Sequence, residues 1–144
     1  NQIVISGHQS AVERAMAAAE KAGARRVVML QVSAPFHCIL MEPAANALGE
    51  ALASIEIGEM SVPVISNVEA RAYSEKERVK ELLVRQVTSS VRWEESIVNL
   101  KELGVVRGYE LGTGSVLRGL IRRIDREIKV NTTGEPHEVN GWEA

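Results

Sequence analysis

The sequence predicts an α/β fold built mostly from parallel strands. Short β-branched runs alternate along the chain with segments whose apolar residues recur at helical spacing, and that alternation is typical of α/β domains. Glycine and proline stand where helical segments should stop or start, which indicates defined element ends. Hydrophobic residues make up 45% of the 144 residues and aromatic residues only 3%, so the core must be aliphatic. A chain of this length favours one domain, with room for an attached subdomain.

Three strands and two helices are predicted in the first half of the chain. The strands are the β-branched runs 3–6, 26–32 and 62–68. The first helix opens with a capping box over residues 10–13 and stops at Gly23. The second helix starts near residues 38–42, because Pro43 is tolerated only in its first turn.

The second half of the chain repeats this pattern. A capping box over residues 74–77 opens a third helix, and a fourth helix over residues 94–103 closes at Gly104. The remaining elements are a strand, a tight "GTG" turn, a helix and a short strand, predicted at 105–111, 112–114, 115–128 and 128–131.

Composition excludes several classes of protein. A net charge of −2 argues against a nucleic-acid binder, and no apolar run approaches the ~18 residues of a membrane span. A single cysteine rules out an internal disulfide and fits a reducing compartment, which favours a cytoplasmic location. The histidines and the cysteine show none of the paired spacings of a zinc site, so no metal is expected. Because the chain enters a β-branched run at once without an initiator Met, we expect Asn1 to be an interior residue of a longer protein.

One histidine is the leading candidate for chemistry. His37 lies in "VSAPFHCIL", directly after a predicted strand and at the start of a predicted helix. A neutral imidazole placed there can act as a general base, although a half-buried structural histidine fits the same pattern. Cys38 follows at once, but adjacent helical residues point ~100° apart, so we expect it to be a small packing residue. No G-x-S-x-G segment is present in the sequence to supply a serine nucleophile.

Two further patterns each admit two interpretations. In "LGTGSVL" two glycines precede a helix, whose free N–H groups could hold an anion such as a nucleotide phosphate, but a simple tight turn fits equally well. Arg118, Arg122 and Arg126 share one face of the predicted fifth helix and could dock an acidic partner. A solvated helix face has the same sequence pattern.

Four stretches of the chain resemble the malonyl-CoA:acyl carrier protein transacylase family. They are "NQIVISGHQSAVE", "VSAPFHCILMEPAA", "PVISNV" with the following "LLVRQVTSSVRW", and "YELGTGSVLRGLIRRI". They occur in the family's order and at similar spacing, and the combination of "PFHC" with "LVRQ" and "VRW" is specific. The resemblance extends to about Pro136 and maps onto the second half of the family's length.

The resemblance implies a particular fold. It is the C-terminal part of an α/β-hydrolase-like acyltransferase core plus part of a ferredoxin-like small subdomain. Residues 1–33 would complete the small subdomain, residues 34–136 would belong to the core, and residues 137–144 would form a polar tail.

The resemblance also implies an activity, the transfer of a malonyl group from coenzyme A to the phosphopantetheine thiol of acyl carrier protein through a serine-bound intermediate. His37 would be the base, the main-chain carbonyl of Gln86 would hold its ring, and Phe36 would crowd out substrates with an α-methyl group. No covalently bound cofactor is implied, since malonyl-CoA is a substrate and the phosphopantetheine is carried by the partner. The serine would come from the N-terminal half of the same enzyme, so we expect the lone chain to be inactive.

Other interpretations stay open at this point. The chain could be a non-catalytic fragment or docking module that binds acidic carrier protein, or it could come from the acyltransferase domain of a polyketide synthase. The expected partners are acyl carrier protein, malonyl-CoA and the N-terminal half of the enzyme, with no nucleic acid and no membrane.

Overall fold

The computed structural model of the chain describes residues 2–134. The predicted polar tail at 137–144 and Asn1 lie outside the described residues. The chain divides into two compact units, which we call the first unit (up to residue 68, with 72–91) and the second unit (69–71, with residues from 92 onward). The subdomain boundary expected between residues 33 and 34 stays a prediction.

The first unit is mainly helical. Its elements, in chain order, are α1 (Gln9–Lys21), a 3₁₀ turn (Ile39–Met41), α2 (Glu42–Ala53), β1 (Val64–Ile65), β2 (Ala72–Tyr73) and α3 (Lys76–Thr88). Helix α2 packs against α3, and β1 pairs antiparallel with β2. Ala45 of α2, Tyr73 of β2 and Leu82 of α3 are buried in this unit.

Two of the predicted helix ends in the first unit are confirmed. Gly23 adopts a left-handed φ of +86° just after α1 ends, and its N–H donates to the carbonyl of Glu20 at 3.0 Å. Pro43 lies in the first turn of α2, where its missing N–H leaves no hydrogen bond unmade.

Both predicted capping boxes are wrong. Helix α1 starts two residues earlier than the capping box over 10–13 requires, with His8 at the N-cap and no side-chain cap. Helix α3 starts at Lys76 with Glu75 at the N-cap, so the box over 74–77 does not form either. The Glu75 carboxylate instead accepts a hydrogen bond from the backbone N–H of Ser74 at 3.0 Å. The capping-box motif therefore indicated approximately where each helix starts, but not the residue at which it starts.

The predicted strands of the first unit are mostly unpaired. Within residues 2–134, no strand ladder forms at 3–6 or 26–32, and only two residues of the run 62–68 are paired. β-branched residues favour a strand, but a ladder also needs a second backbone beside it. Most apolar side chains of both unpaired runs are exposed: Ile3, for example, is 90% exposed, whereas Val27 is half-buried.

The second unit has the βαβ arrangement that the sequence predicts. Its elements, in chain order, are α4 (Trp93–Glu102), β3 (Arg107–Leu111), α5 (Val116–Ile124) and β4 (Lys129–Thr133). Strands β3 and β4 pair in parallel, from Arg107 opposite Lys129 to Leu111 opposite Thr133, and α5 makes the crossover between them. Ile97 of α4 is 2% exposed and lies in the core of the unit. Gly104, at φ +82°, ends the fourth helix as predicted.

The fifth helix is shorter than predicted. It ends at Ile124, because Asp125 leaves the helical conformation with φ −141° and ψ 125°. The Asp125 carboxylate accepts hydrogen bonds from the backbone N–H of Glu127 at 2.7 Å and from Lys101 Nζ at 2.6 Å. The prediction that Arg126 shares a helical face with the two preceding arginines is therefore wrong. No helix among the described residues is long and apolar enough to cross a bilayer.

Candidate active site

His37 lies in a loop whose backbone is tied to its surroundings. Its φ of +62° is uncommon for a residue other than glycine, and such positions persist where neighbouring contacts hold them. The carbonyl of Phe36 accepts a hydrogen bond from Ser6 Oγ at 2.6 Å, and Cys38 Sγ donates to the carbonyl of Pro35 at 3.1 Å. The Cys38 thiol is thus engaged within its own turn, and Cys38 leads into the 3₁₀ turn before α2.

The ring of His37 is bonded to the end of a helix 49 residues away in sequence. Its Nδ1 lies 2.9 Å from the backbone carbonyl oxygen of Gln86, in the last turn of α3. The last four carbonyls of a helix have no partner within the helix, so this oxygen is available. A carbonyl oxygen only accepts, so Nδ1 must carry the proton, and in the neutral ring Nε2 is then the basic nitrogen.

Gln86 makes a second contact, through its side chain. Gln86 Oε1 accepts a hydrogen bond from Asn67 Nδ2 at 3.0 Å, and both residues are half-buried. Asn67 lies in the turn that follows β1, beside Ser66, whose hydroxyl accepts a hydrogen bond from the N–H of Val68 at 3.2 Å. Sequence reasoning missed Asn67, because its partner is 19 residues away and neither residue type signals the contact.

Two side chains at this site, those of Phe36 and His37, are open to solvent. The Phe36 side chain is 48% exposed, and His37 itself is exposed. Among residues 2–134, the His37 ring makes one hydrogen bond, the Nδ1 contact to Gln86. No serine of the described chain therefore bonds to Nε2. Among the same residues, no group of three His, Cys, Asp or Glu side chains is placed to hold a metal ion.

A carboxylate occupies the anion site considered at the start of α5. Glu110 accepts hydrogen bonds from the backbone N–H groups of Leu117 and Arg118, both at 2.9 Å. The hydrogen bond from the Arg118 N–H is the main cause that holds the pKa of Glu110 below its ordinary value. Because the chain's own carboxylate takes these N–H groups, the prediction that they hold an anionic ligand is wrong. The tight-turn interpretation is confirmed by Gly112 and Gly114, at φ +117° and +94°.

Two of the three candidate docking arginines share a helix face. Arg118 and Arg122 are exposed on α5 and lie four residues apart, so their side chains are neighbours on the helix surface. Val116 and Leu117, in the first turn of the helix, are 70% and 42% exposed. At 100° per residue, both apolar side chains lie at least 100° around the helix from the two arginines, so they belong to a different face.

Comparison with known proteins gives a consistent result over nearly the whole chain. No protein-family model matches the chain. It is 45% identical over 138 residues to the "Malonyl CoA-acyl carrier protein transacylase" of Bacillus subtilis (strain 168), covering 96% of this chain and 44% of that protein. The transacylase of the same name from Escherichia coli (strain K12) is 42% identical over 135 residues, covering 94% of this chain and 44% of the relative. The chain thus spans less than half the length of these curated relatives.

Solved structures that match this chain are malonyl-transferring enzymes as well, again over part of their length. An acyl-carrier-protein-S-malonyltransferase from Bartonella henselae matches with a TM-score of 0.84 and 47% identity, over 90% of this chain and 41% of that chain. A malonyl-transacylase solved in complex with its type II PKS acyl-carrier protein matches with a TM-score of 0.86 and 39% identity, over 92% of this chain and 43% of that chain. The matched architecture has mixed α/β elements, as in the two units described above.

Proposed function

Because this chain is homologous to the C-terminal half of the malonyl CoA-acyl carrier protein transacylases, we propose that it supplies the general base for malonyl transfer from coenzyme A to acyl carrier protein. The observation that carries the proposal is the 2.9 Å contact between His37 Nδ1 and the Gln86 carbonyl. That contact leaves Nε2 of the neutral ring free to take a proton. The proposed fold of the whole enzyme is an α/β-hydrolase-like core with a ferredoxin-like subdomain.

The proposed chemistry runs in two displacements. A serine contributed by sequence outside these 144 residues attacks the malonyl thioester carbonyl, and His37 Nε2 removes the proton from the serine hydroxyl. The carbon–sulfur bond breaks, and the departing coenzyme A thiolate takes that proton from the imidazolium. The phosphopantetheine thiol of the carrier protein then attacks the malonyl-serine ester. His37 takes the thiol proton and returns it to the serine oxygen as that bond breaks.

Phe36 is the proposed limit on acyl size. Its exposed ring belongs to the residue directly before the base, and we propose that it borders the space that the acyl group occupies at Nε2. A methyl branch next to the thioester carbonyl would meet this ring, whereas the unbranched malonyl group would not. Malonyl-CoA is therefore the proposed acyl donor.

The carrier protein is the proposed macromolecular partner. Arg118 and Arg122 are exposed one helical turn apart on α5 and offer a cationic surface for an acidic partner. One matching structure is a transacylase in complex with an acyl-carrier protein, which supports a partner of this class. A cytoplasmic location is part of the proposal and is supported by the single, unpaired cysteine.

The proposal is tested in a chimaera in which this chain replaces the matching segment of the Bacillus subtilis relative. Malonyl transfer from malonyl-CoA to the phosphopantetheine-bearing carrier protein is measured, together with the mass of the acylated enzyme. His37→Ala should lower kcat about a hundred- to ten-thousand-fold, the usual contribution of a general base. His8→Ala is the matched control, since His8 makes no side-chain cap bond at α1 and should leave kcat unchanged. Equal activity of the two variants would reject His37 as the base.

A further inference from the structure

We propose that Asn67 is a positioning residue for His37 and that it acts through Gln86. The inference rests on the proposed function, because it concerns the orientation of the proposed base. Gln86 bonds in two directions: its side-chain Oε1 accepts from Asn67 Nδ2 at 3.0 Å, and its backbone oxygen lies 2.9 Å from His37 Nδ1. Asn67 and His37 are thus connected through a single residue.

The hydrogen bond from Asn67 to Gln86, which we call the clamp, matters because of where Gln86 lies in its helix. The carbonyls of a last helical turn are not held by bonds within the helix, and helix ends open more readily than helix centres. Helix α3 ends only two residues after Gln86, and its C-cap residue Ser89 already has an extended backbone, with φ −107° and ψ 151°. The bond from Asn67 ties this turn to the segment that follows β1, so the Gln86 carbonyl stays at one place.

The position of His37 explains what the clamp controls. The ring is exposed, and within the described chain its orientation depends on one hydrogen bond. If the carbonyl moves away, Nδ1 loses its acceptor, and the neutral ring can place its proton on Nε2 instead. A ring protonated at Nε2 cannot accept a proton from serine or from a thiol there. Asn67 therefore keeps the population of imidazole in the basic tautomer high.

The test uses the same chimaera, with histidine labelled with ¹⁵N and the His37 signals assigned by their absence from His37→Gln. In the parent chimaera, Nδ1 should show the protonated shift and Nε2 the unprotonated one. Asn67→Ala and Gln86→Ala should each move Nε2 toward the protonated shift and lower kcat by about 2- to 10-fold at unchanged KM, the size of one neutral hydrogen bond. Gln86→Ala keeps the backbone carbonyl and favours the helix, so it tests the clamp without threatening the fold.

Three further variants sharpen the test. The double variant Asn67→Ala with Gln86→Ala should lose no more than either single variant, because the two side chains make one bond. Gln86→Glu keeps an acceptor for Asn67 and should recover part of the loss seen in Gln86→Ala. Asn46→Ala, at an exposed position of α2, is the matched control and should change neither the tautomer nor kcat.

The outcomes separate this inference from the proposed function. If His37→Ala abolishes transfer while Asn67→Ala and Gln86→Ala keep both kcat and the Nε2 shift, the clamp is refuted and the base assignment stands. If the clamp variants shift the tautomer while His37→Ala leaves transfer unchanged, Asn67 orients the ring but the ring is not the base. Additive losses in the double variant would overturn the single-bond explanation.

Discussion

Replacing Leu82 by alanine should destabilise the first unit by about 2–5 kcal/mol, the range for a buried leucine. Leu82 of α3 is only 3% exposed, in the unit where α3 packs against α2. The change removes three carbon atoms at about 0.8 kcal/mol per buried group, or about 2.4 kcal/mol, and the cavity left behind adds the remainder. Leu82 also lies one helical turn before Gln86, so a loosened α3 should move the carbonyl that holds His37.

Leu83 provides the matched control on the same helix. Its side chain is 39% exposed, so Leu83→Ala should cost about 1.5 kcal/mol, because only the buried part of the side chain contributes and water can enter the vacated space. The free energy of unfolding is measured for both variants by urea titration, with the change read from the midpoint at constant slope. Equal losses for Leu82→Ala and Leu83→Ala would refute the assignment of the buried face of α3.

The remaining predictions concern selectivity, docking and pH. Phe36→Ser in the chimaera should raise kcat/KM for methylmalonyl-CoA relative to malonyl-CoA by about 10-fold or more, and an unchanged ratio would refute the crowding role. The double variant Arg118→Glu with Arg122→Glu should weaken carrier-protein binding in a titration. Arg126→Glu, beyond the helix end, should weaken binding less. Equal affinities for all variants would refute the docking surface. The pKa of Glu110 is lowered on folding from its ordinary 4.5, so its contribution to stability is present above that pH and is lost as pH falls through the lower folded value. Glu110→Gln should therefore flatten the fall in unfolding free energy on acidification, and an unchanged pH dependence would contradict the capping role.

Local sequence signals were enough to predict the helix ends that depend on a single turn of backbone. Gly23 and Gly104 end their helices because each adopts a left-handed φ that other residues rarely adopt. Pro43 marks a first helical turn because it lacks an N–H. The βαβ order of the second unit was also predictable, since strand and helix periodicities alternate there over short distances. His37 was identified as the leading candidate from its place after a run of apolar residues and from the family resemblance.

Tertiary structure decided the contacts that join distant segments. The 2.9 Å contact between His37 and Gln86 spans 49 residues, and the Asn67 contact that steadies it spans 19, so no local pattern contains either one. Periodicity also predicted α5 too long, because the side chain that ends it, Asp125, is held by Lys101 of another helix. The sequence by itself determined where the backbone turns and which residue types are available for proton transfer. The family resemblance implied the Gln86 carbonyl as the partner of His37, but only the tertiary structure brings the two within 2.9 Å, because hydrogen bonds depend on distance in space and not on separation along the chain.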